Sequence, residues 1–270
     1  MNDNKKQGSY RFGTFHDNEI ELDRLKKQAA AFIGIEIKNL ERAGLKPGQK
    51  VLDLGCGPGF ISCELAKYVG NGQVMGVDTN DQLLTIADNE KKIRNITNLN
   101  FKKSNVYQLD LPKNEFDFVY CRLIFQHLSD PNLALQNIYQ VLKPGGIVCI
   151  ADIDDDFVVF YPEPKGFASL VQRTITNVKA EGGDRMIGRK LYSYLTKSGY
   201  RNVNEWLELI TSSNIGMKNF VDITCIVRSQ LCHSEEEYAK SQAELTEIYK
   251  IVDQPDAWGA IGTFIAVGTK

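Results

Sequence analysis

A chain of 270 residues, 43% of them hydrophobic, is long enough to bury one large core. Its 22 glycines and 8 prolines are close to average usage, which excludes collagen-like and low-complexity readings. The formal net charge of −2 offers no cationic field for phosphate, so nucleic acid is not expected as the main partner. The start, Met1 to Lys6, is polar and lacks the apolar run of a signal peptide. No stretch approaches the ~18 apolar residues of a membrane span. The cysteines at 56, 63, 121, 149, 225 and 232 are scattered without a Cys-x-x-Cys pair. They read as small core residues in a reducing compartment, so a cytoplasmic protein without a metal site is expected.

In chain order, the first ten residues look like a mobile arm. From Glu19 to Ala43 the residues Ile20, Leu22, Leu25, Ala29, Phe32, Ile33 and Ile37 recur at helical spacing, and Gly44 with Pro47-Gly48 stops the helix. Lys50–Leu54 is a short apolar strand and Phe60–Val69 a helix. Gly72–Val77 and Asn80–Arg94 repeat the pair, and Leu99–Phe101 and Phe116–Cys121 are two more strands. A helix from Pro131 to Leu142 leads through Lys143-Pro-Gly-Gly146 into a fifth strand, Ile147–Ala151. Strands alternating with helices predict a parallel sheet covered on both faces. Beyond residue 153, helical patterns at 166–180, 188–198 and 234–252 surround one strand candidate, Val203–Leu209. A last strand, Gly262–Val267, has no following helix and predicts an antiparallel addition at the sheet edge. The expected division is 1–45 arm and helix, 46–153 sheet core, 154–260 a helical cap with a late strand, and 261–270 the terminal strand.

The most informative stretch is Val51-Leu-Asp-Leu-Gly-Cys-Gly-Pro-Gly59, a strand followed by Gly-x-Gly-x-Gly and then a helix. Such glycines let the backbone turn sharply and approach a ligand beside a helix start. The third glycine comes one residue earlier than in the dinucleotide fingerprint. Asp53, two residues before the first glycine, would face a cationic ligand group, where it would repel a pyrophosphate. Asp78 ends the second strand, where an acid can accept hydrogen bonds from ribose hydroxyls. Ser104-Asn105-Val106 follows the third strand, where an amide and a backbone N–H can read an adenine edge.

With Asp78, Phe116-Asp-Phe-Val-Tyr-Cys-Arg-Leu-Ile-Phe-Gln-His-Leu128, Leu142-Lys-Pro-Gly-Gly146 and the entry segment Glu41–Gly48, this loop resembles the class I S-adenosylmethionine (SAM)-dependent methyltransferases. The likeness is to the small-molecule type related to the ubiquinone/menaquinone methyltransferases, and it covers roughly residues 40–155. It implies an α/β fold: a Rossmann-like, doubly wound, mostly parallel sheet with an antiparallel C-terminal strand, an N-terminal helical arm and a helical cap. The implied cofactor is SAM and the implied partner a small-molecule methyl acceptor; oligomeric state stays open, a dimer included. By the resemblance, Gly55, Cys56 and Gly57 pass backbone groups to the methionine part and Asp53 supports its ammonium. Asp78 holds the ribose with Thr79 and Leu83 nearby. Asn105 and Val106 meet the adenine, Cys121 and Arg122 lie beside the sulfonium, and Tyr10 and Gln28 reach the cofactor carboxylate. Two other readings of the loop remain: a nicotinamide-dependent oxidoreductase and a non-catalytic SAM-binding module.

For catalysis the candidates are Arg122 and His127. A neutral imidazole past the fourth strand can take a proton from a nucleophile, but packing within its turn is the expectation for His127. His16 and His233 are read as surface residues. The acidic run Asp152, Asp154, Asp155, Asp156 is expected to be a solvated turn, with contact to an amine acceptor or a divalent ion as sharper alternatives. Phe157, Phe160, Tyr161, Phe167, Trp206 and Phe220 are candidates to line an apolar acceptor pocket. Arg185 or Arg189 would meet an acidic acceptor group or lie on the surface.

Overall fold

A computed structural model of the protein describes residues 8–270. A 26-residue helix, α1 (Asn18–Ala43), opens the fold; the Asp17 side chain accepts from the N–H groups of Glu19 and Ile20, and Gly44 closes it in the left-handed region. There follow β1 (Lys50–Leu54), α2 (Phe60–Val69), β2 (Gln73–Asp78), α3 (Asp81–Ile93), β3 (Leu99–Lys103), β4 (Phe116–Arg122), α4 (Pro131–Val141) and β5 (Leu142–Tyr161). The second half adds α5 (Phe167–Ala180), α6 (Leu191–Lys197), β6 (Arg201–Thr211), α7 (Ser212–Ile215), α8 (Met217–Gln230), α9 (Glu235–Tyr249) and β7 (Trp258–Thr269).

The seven strands form one sheet in the order β3-β2-β1-β4-β5-β7-β6. Strands β1 to β5 pair in parallel, and β7 runs antiparallel to both neighbours. The doubly wound sheet with an antiparallel last strand matches the expectation in all but one respect. That strand is not the edge; it is inserted between β5 and β6, and β6 is the edge. On one face Leu135, Ile138, Leu191 and Leu195 pack against Leu52, Val119 and Ile150. On the other, Leu40, Phe60, Cys63 and Leu65 pack against Val51, Phe118, Tyr120 and Cys149. No helix among the described residues is long and apolar enough to cross a membrane.

Four other expectations need correction. Strand β5 runs ten residues past Ala151, because β7 pairs along it as far as Tyr161↔Trp258. The acidic run therefore lies in a strand, not a solvated turn: Asp152, Asp154 and Asp155 are buried. Helix α8 has no counterpart in the sequence reading. Of the arm, residues 1–7 lie outside the described part, whereas Ser9 and Tyr10 are fixed by hydrogen bonds to His127 and Glu21.

Candidate functional site

The glycine loop joins β1 to α2 at the carboxyl end of the sheet, where the strand order reverses between β1 and β4. Its glycines have separate physical reasons. At Gly55 (φ +73°) a Cβ would come within 2.4 Å of Ile124 Cγ2. At Gly59 (φ +73°) it would lie 2.7 Å from Phe101 Cζ and 2.8 Å from Ala87 Cβ, so this glycine lets α2 start against α3 and β3. The N–H groups of Gly55 and Cys56 both reach the Val77 carbonyl, at 2.8 and 3.0 Å, and that of Gly57 reaches Asp78 Oδ2 at 2.9 Å. The loop's donors are thus committed within the protein, and carbonyl oxygens are what it has left for a ligand.

Below the loop lies a cavity of about 740 Å³. Its walls include Tyr10, Gln28, Asp53, Gly55, Cys56, Gly57, Asp78, Thr79, Leu83, Asn105, Val106, Arg122 and His127. Cys121 is the exception among the anticipated residues. Side chains alternate along β4, so Tyr120 and Arg122 face the cavity while Cys121 packs in the opposite core against residues such as Leu54 and Ile150.

Asp53 is buried and accepts a short hydrogen bond from Ser62. Burial pushes its pKa up to about 7 against the pull of the Ser62 hydroxyl and, more weakly, Arg122. A desolvated carboxyl of this kind favours a cationic neighbour. Asp78 is also raised by burial, against the N–H groups of Asn80 and Gly57 that it accepts at 2.9 Å each. Asn105 Oδ1 caps its own turn by accepting from the Tyr107 N–H at 2.9 Å, which leaves its amide nitrogen as the ready contact. Two buried polar atoms on the cavity-lining residues, Gln28 Oε1 and Ser104 Oγ, have no hydrogen-bond partner among the described residues.

Helix α1 supplies charges that the sequence reading passed over. Arg24 grips Glu21 through two 2.7 Å bonds, and Tyr10 donates to the same carboxylate at 2.7 Å. Tyr10 is therefore tied to Glu21. Glu36 accepts from the Tyr120 hydroxyl and from Arg122 Nε at 2.9 Å. These residues sit on the buried stripe of the helix, and charged residues on such a stripe were the available signal.

His127 Nδ1 lies 2.8 Å from Ser9 Oγ, and its ring is 5.4 Å from that of Tyr10. Burial first, then the cations Arg185 and Arg24, push its pKa down to about 3, so the ring is neutral at physiological pH. His16 stacks on Tyr238 at 3.8 Å and His233 meets Glu181, both away from the cavity.

Beyond β4 the cavity continues over β5, β7 and β6. The anticipated aromatics do not line it. Phe160, Phe167 and Phe220 form a core of their own, Trp206 donates to Asn39 beneath Arg42, and Tyr161 is exposed. Its walls are Phe32, Ile35, Ile153, Ile210, Ile223, Val227 and Ile261. Asp155 accepts from both Arg185 and Arg228, which hold its carboxyl well below the usual range although burial would raise it. Arg189 instead pairs with Asp154 and Asp156 at the surface.

Against known proteins, 33% identity is found with an uncharacterized methyltransferase of Schizosaccharomyces pombe, over 58% of each chain. The ubiquinone/menaquinone biosynthesis C-methyltransferase UbiE of Edwardsiella ictaluri is 30% identical over 59% of this chain and 62% of its own. The matched part thus spans about three-fifths of either relative's length. Phosphoethanolamine N-methyltransferase 2 of Haemonchus contortus, solved with S-adenosyl-L-methionine, superposes with a TM-score of 0.60 over 88% of this chain and 52% of its own. At 19% identity that likeness speaks for the fold alone. A family model described as a methyltransferase domain matches residues 45–208, from the end of α1 through the glycine loop to β6. The chain belongs to this methyltransferase-domain family.

Proposed function

We propose that the protein transfers a methyl group from S-adenosylmethionine to a nucleophilic O, N or C atom of a small molecule. The observation that carries this reading is a convergence on one cavity. The glycine loop, two strand-end acids and the turn after β3 meet there, and beside them Gln28 Oε1 and Ser104 Oγ have no partner among the described residues. That donor set fits the group. Asp53 and the loop carbonyls suit an ammonium, Asp78 a pair of ribose hydroxyls, the Asn105 amide and the Val106 N–H an adenine edge, and Gln28 with Arg24 a carboxylate. When bound, SAM supplies an electrophilic methyl carbon on a sulfonium.

The chain's own part is to bind, orient and keep water out. Arg122 and His127 border the space where an acceptor would approach, and the helices after β5 form its cap. His127, neutral and hydrogen-bonded to Ser9, serves as a wall residue in this reading. The unpaired cysteines suit a reducing compartment. Calorimetric titration of the purified protein with SAM, S-adenosylhomocysteine (SAH) and NADH tests the proposal. Micromolar binding of the first two with none of NADH is expected. Binding of NADH alone overturns it, and absence of any binding in ligand-stripped protein would leave a methyltransferase fold with another task.

A further inference from the structure

The cavity floor can be followed by register. Arg122 on β4 pairs with Ala151 on β5, Ala151 with Ile265 on β7, and Ile265 with Trp206 on β6. One row further on, Ile153 pairs with Thr263 and Thr263 with Glu208. At ~4.8 Å per strand, the three steps from β4 to β6 span roughly 14 Å. Between the two ends the floor is Ala151, Ile153, Ile265, Thr263 and Ile261, roofed by α1 and α8.

The two ends offer an anion different things: at one, Arg122 is ion-paired with the buried Glu36 yet has donors to spare, and at the other stands a carboxylate with no side-chain partner among the described residues. Arg122 bonds Glu36 through Nε alone; among the described residues neither of its terminal nitrogens donates to anything, and its side chain keeps 15% exposure on the cavity wall. The next residue, Leu123, is held at φ +55° with its N–H on the Ala151 carbonyl. That conformation is unfavourable for a branched side chain and recurs at binding sites. At the other end Glu208 is half-buried, and its side chain makes no hydrogen bond or ion pair among the described residues. Further cations line the wall: Arg185 and Arg228 share Asp155, and Asp152 nearby has its pKa pushed up to about 7 by burial. An isolated anion at the β6 end would meet Glu208; at the β4 end it would meet up to four uncommitted guanidinium N–H groups.

We propose that the methyl acceptor is an amphiphile whose anionic head, a carboxylate or a phosphate monoester, sits on the terminal nitrogens of Arg122 while its apolar body lies across β5 and β7 toward Glu208. This rests on the methyltransferase reading and adds an acceptor class to it. It places the methylated atom close to the head, at the end of the cavity nearest the glycine loop.

The test is binding without turnover. SAH-saturated protein is titrated with octanoate, octyl phosphate, octanol and octylamine. At least one of the two anions should bind about tenfold or more tighter than octanol and octylamine, and which anion does so separates the two head groups. Arg122→Met should abolish that preference while SAH affinity falls by clearly less, through the charge lost beside Asp53, and Arg122→Lys should keep part of the preference. Equal binding of all four probes, binding of none, or tighter binding of the amine overturns the proposal on the wild-type protein alone, whatever the variants' stability. An SAH affinity that falls with Arg122→Met as far as the anion preference does would give the free edge to the cofactor and overturn it too. Failure of SAH to bind the wild-type protein is a different result. It removes the methyltransferase reading, while the anion preference can still be measured on the ligand-free protein.

Discussion

The two halves of the cavity are built in different ways. At the β1–β3 end the polar contacts are short in sequence: Asp78 serves Asn80 two residues on and Gly57 twenty-one residues back, and Asp53 meets Ser62 nine residues on. At the β5–β6 end they are long. Asp155 on β5 is held by Arg185 and Arg228, 30 and 73 residues downstream. A local site depends on one turn being formed, whereas a site assembled from distant charges depends on whole elements docking together. The long-range half should therefore be the more sensitive in stability and the local half the more sensitive in cofactor affinity.

The largest expected effect tests the first part of that contrast. Asp155→Ala leaves Arg185 and Arg228 buried side by side without their shared carboxylate, a loss on the order of 3–5 kcal/mol in folding stability. Urea unfolding would measure it. A change below about 1 kcal/mol, the size of an exposed pair, would mean that the cluster is solvated and the contrast false. Next in size is Asp78→Ala, which removes the partner of two loop N–H groups and the proposed ribose acceptor. SAH affinity should fall by roughly 2–3 kcal/mol with a smaller loss of stability. An unchanged affinity in calorimetry would remove Asp78 from the cofactor site.

How much of this was legible in the sequence follows the same division. The loop at 51–59, Asp78 and the Asn105 turn could be read because each lies within a few residues of the strand end that places it. The acidic run could not. Four aspartates in five positions look solvated until arginines far downstream are known to reach them. Helix α8 escaped because Val221, Ile223, Thr224, Ile226 and Val227 are β-branched, and because nearly every residue from Phe220 to Gln230 is buried. No polar stripe remained to betray the helical period. Cys121 was misplaced although the signal was present: on a strand, Tyr120 and Arg122 share a face that Cys121 cannot.

A third prediction separates stability from affinity within the local half. The Asp53 carboxyl moves from its ordinary 3.8 to about 7 on folding. Between those values the unfolded chain has released the proton and the folded one has not. The contribution of this group to stability is therefore full below the lower value and lost as pH rises toward the upper one, at about 1 kcal/mol per pH unit. Affinity for SAH should slope the other way, because its ammonium favours the ionised form, and should rise with pH until about 7. Thermal melts and calorimetry across pH 5–8 would show the two opposed slopes; Asp53→Asn should flatten the affinity slope and leave only the share of the stability slope that belongs to Asp152, whose carboxyl burial also pushes up to about 7. Parallel slopes would mean that Asp53 does not face the ammonium.

The smallest expected effect concerns His127, which touches both halves through Ser9 and the field of Arg185 and Arg24. With its pKa pushed down to about 3 by burial and by those cations, the imidazole carries no charge anywhere in the range where Asp53 titrates. The replacement His127→Gln keeps a hydrogen-bonding group within reach of Ser9. It should leave SAH affinity within about twofold at neutral pH, a change of well under 1 kcal/mol. Its affinity-versus-pH curve should superimpose on that of the wild type, because the single limb belongs to Asp53. A limb near the ordinary histidine value that vanishes with His127→Gln would mean that the ring is protonated in the folded protein. That would require a carboxylate closer to it than either arginine, and would turn a wall residue into a candidate acid or base.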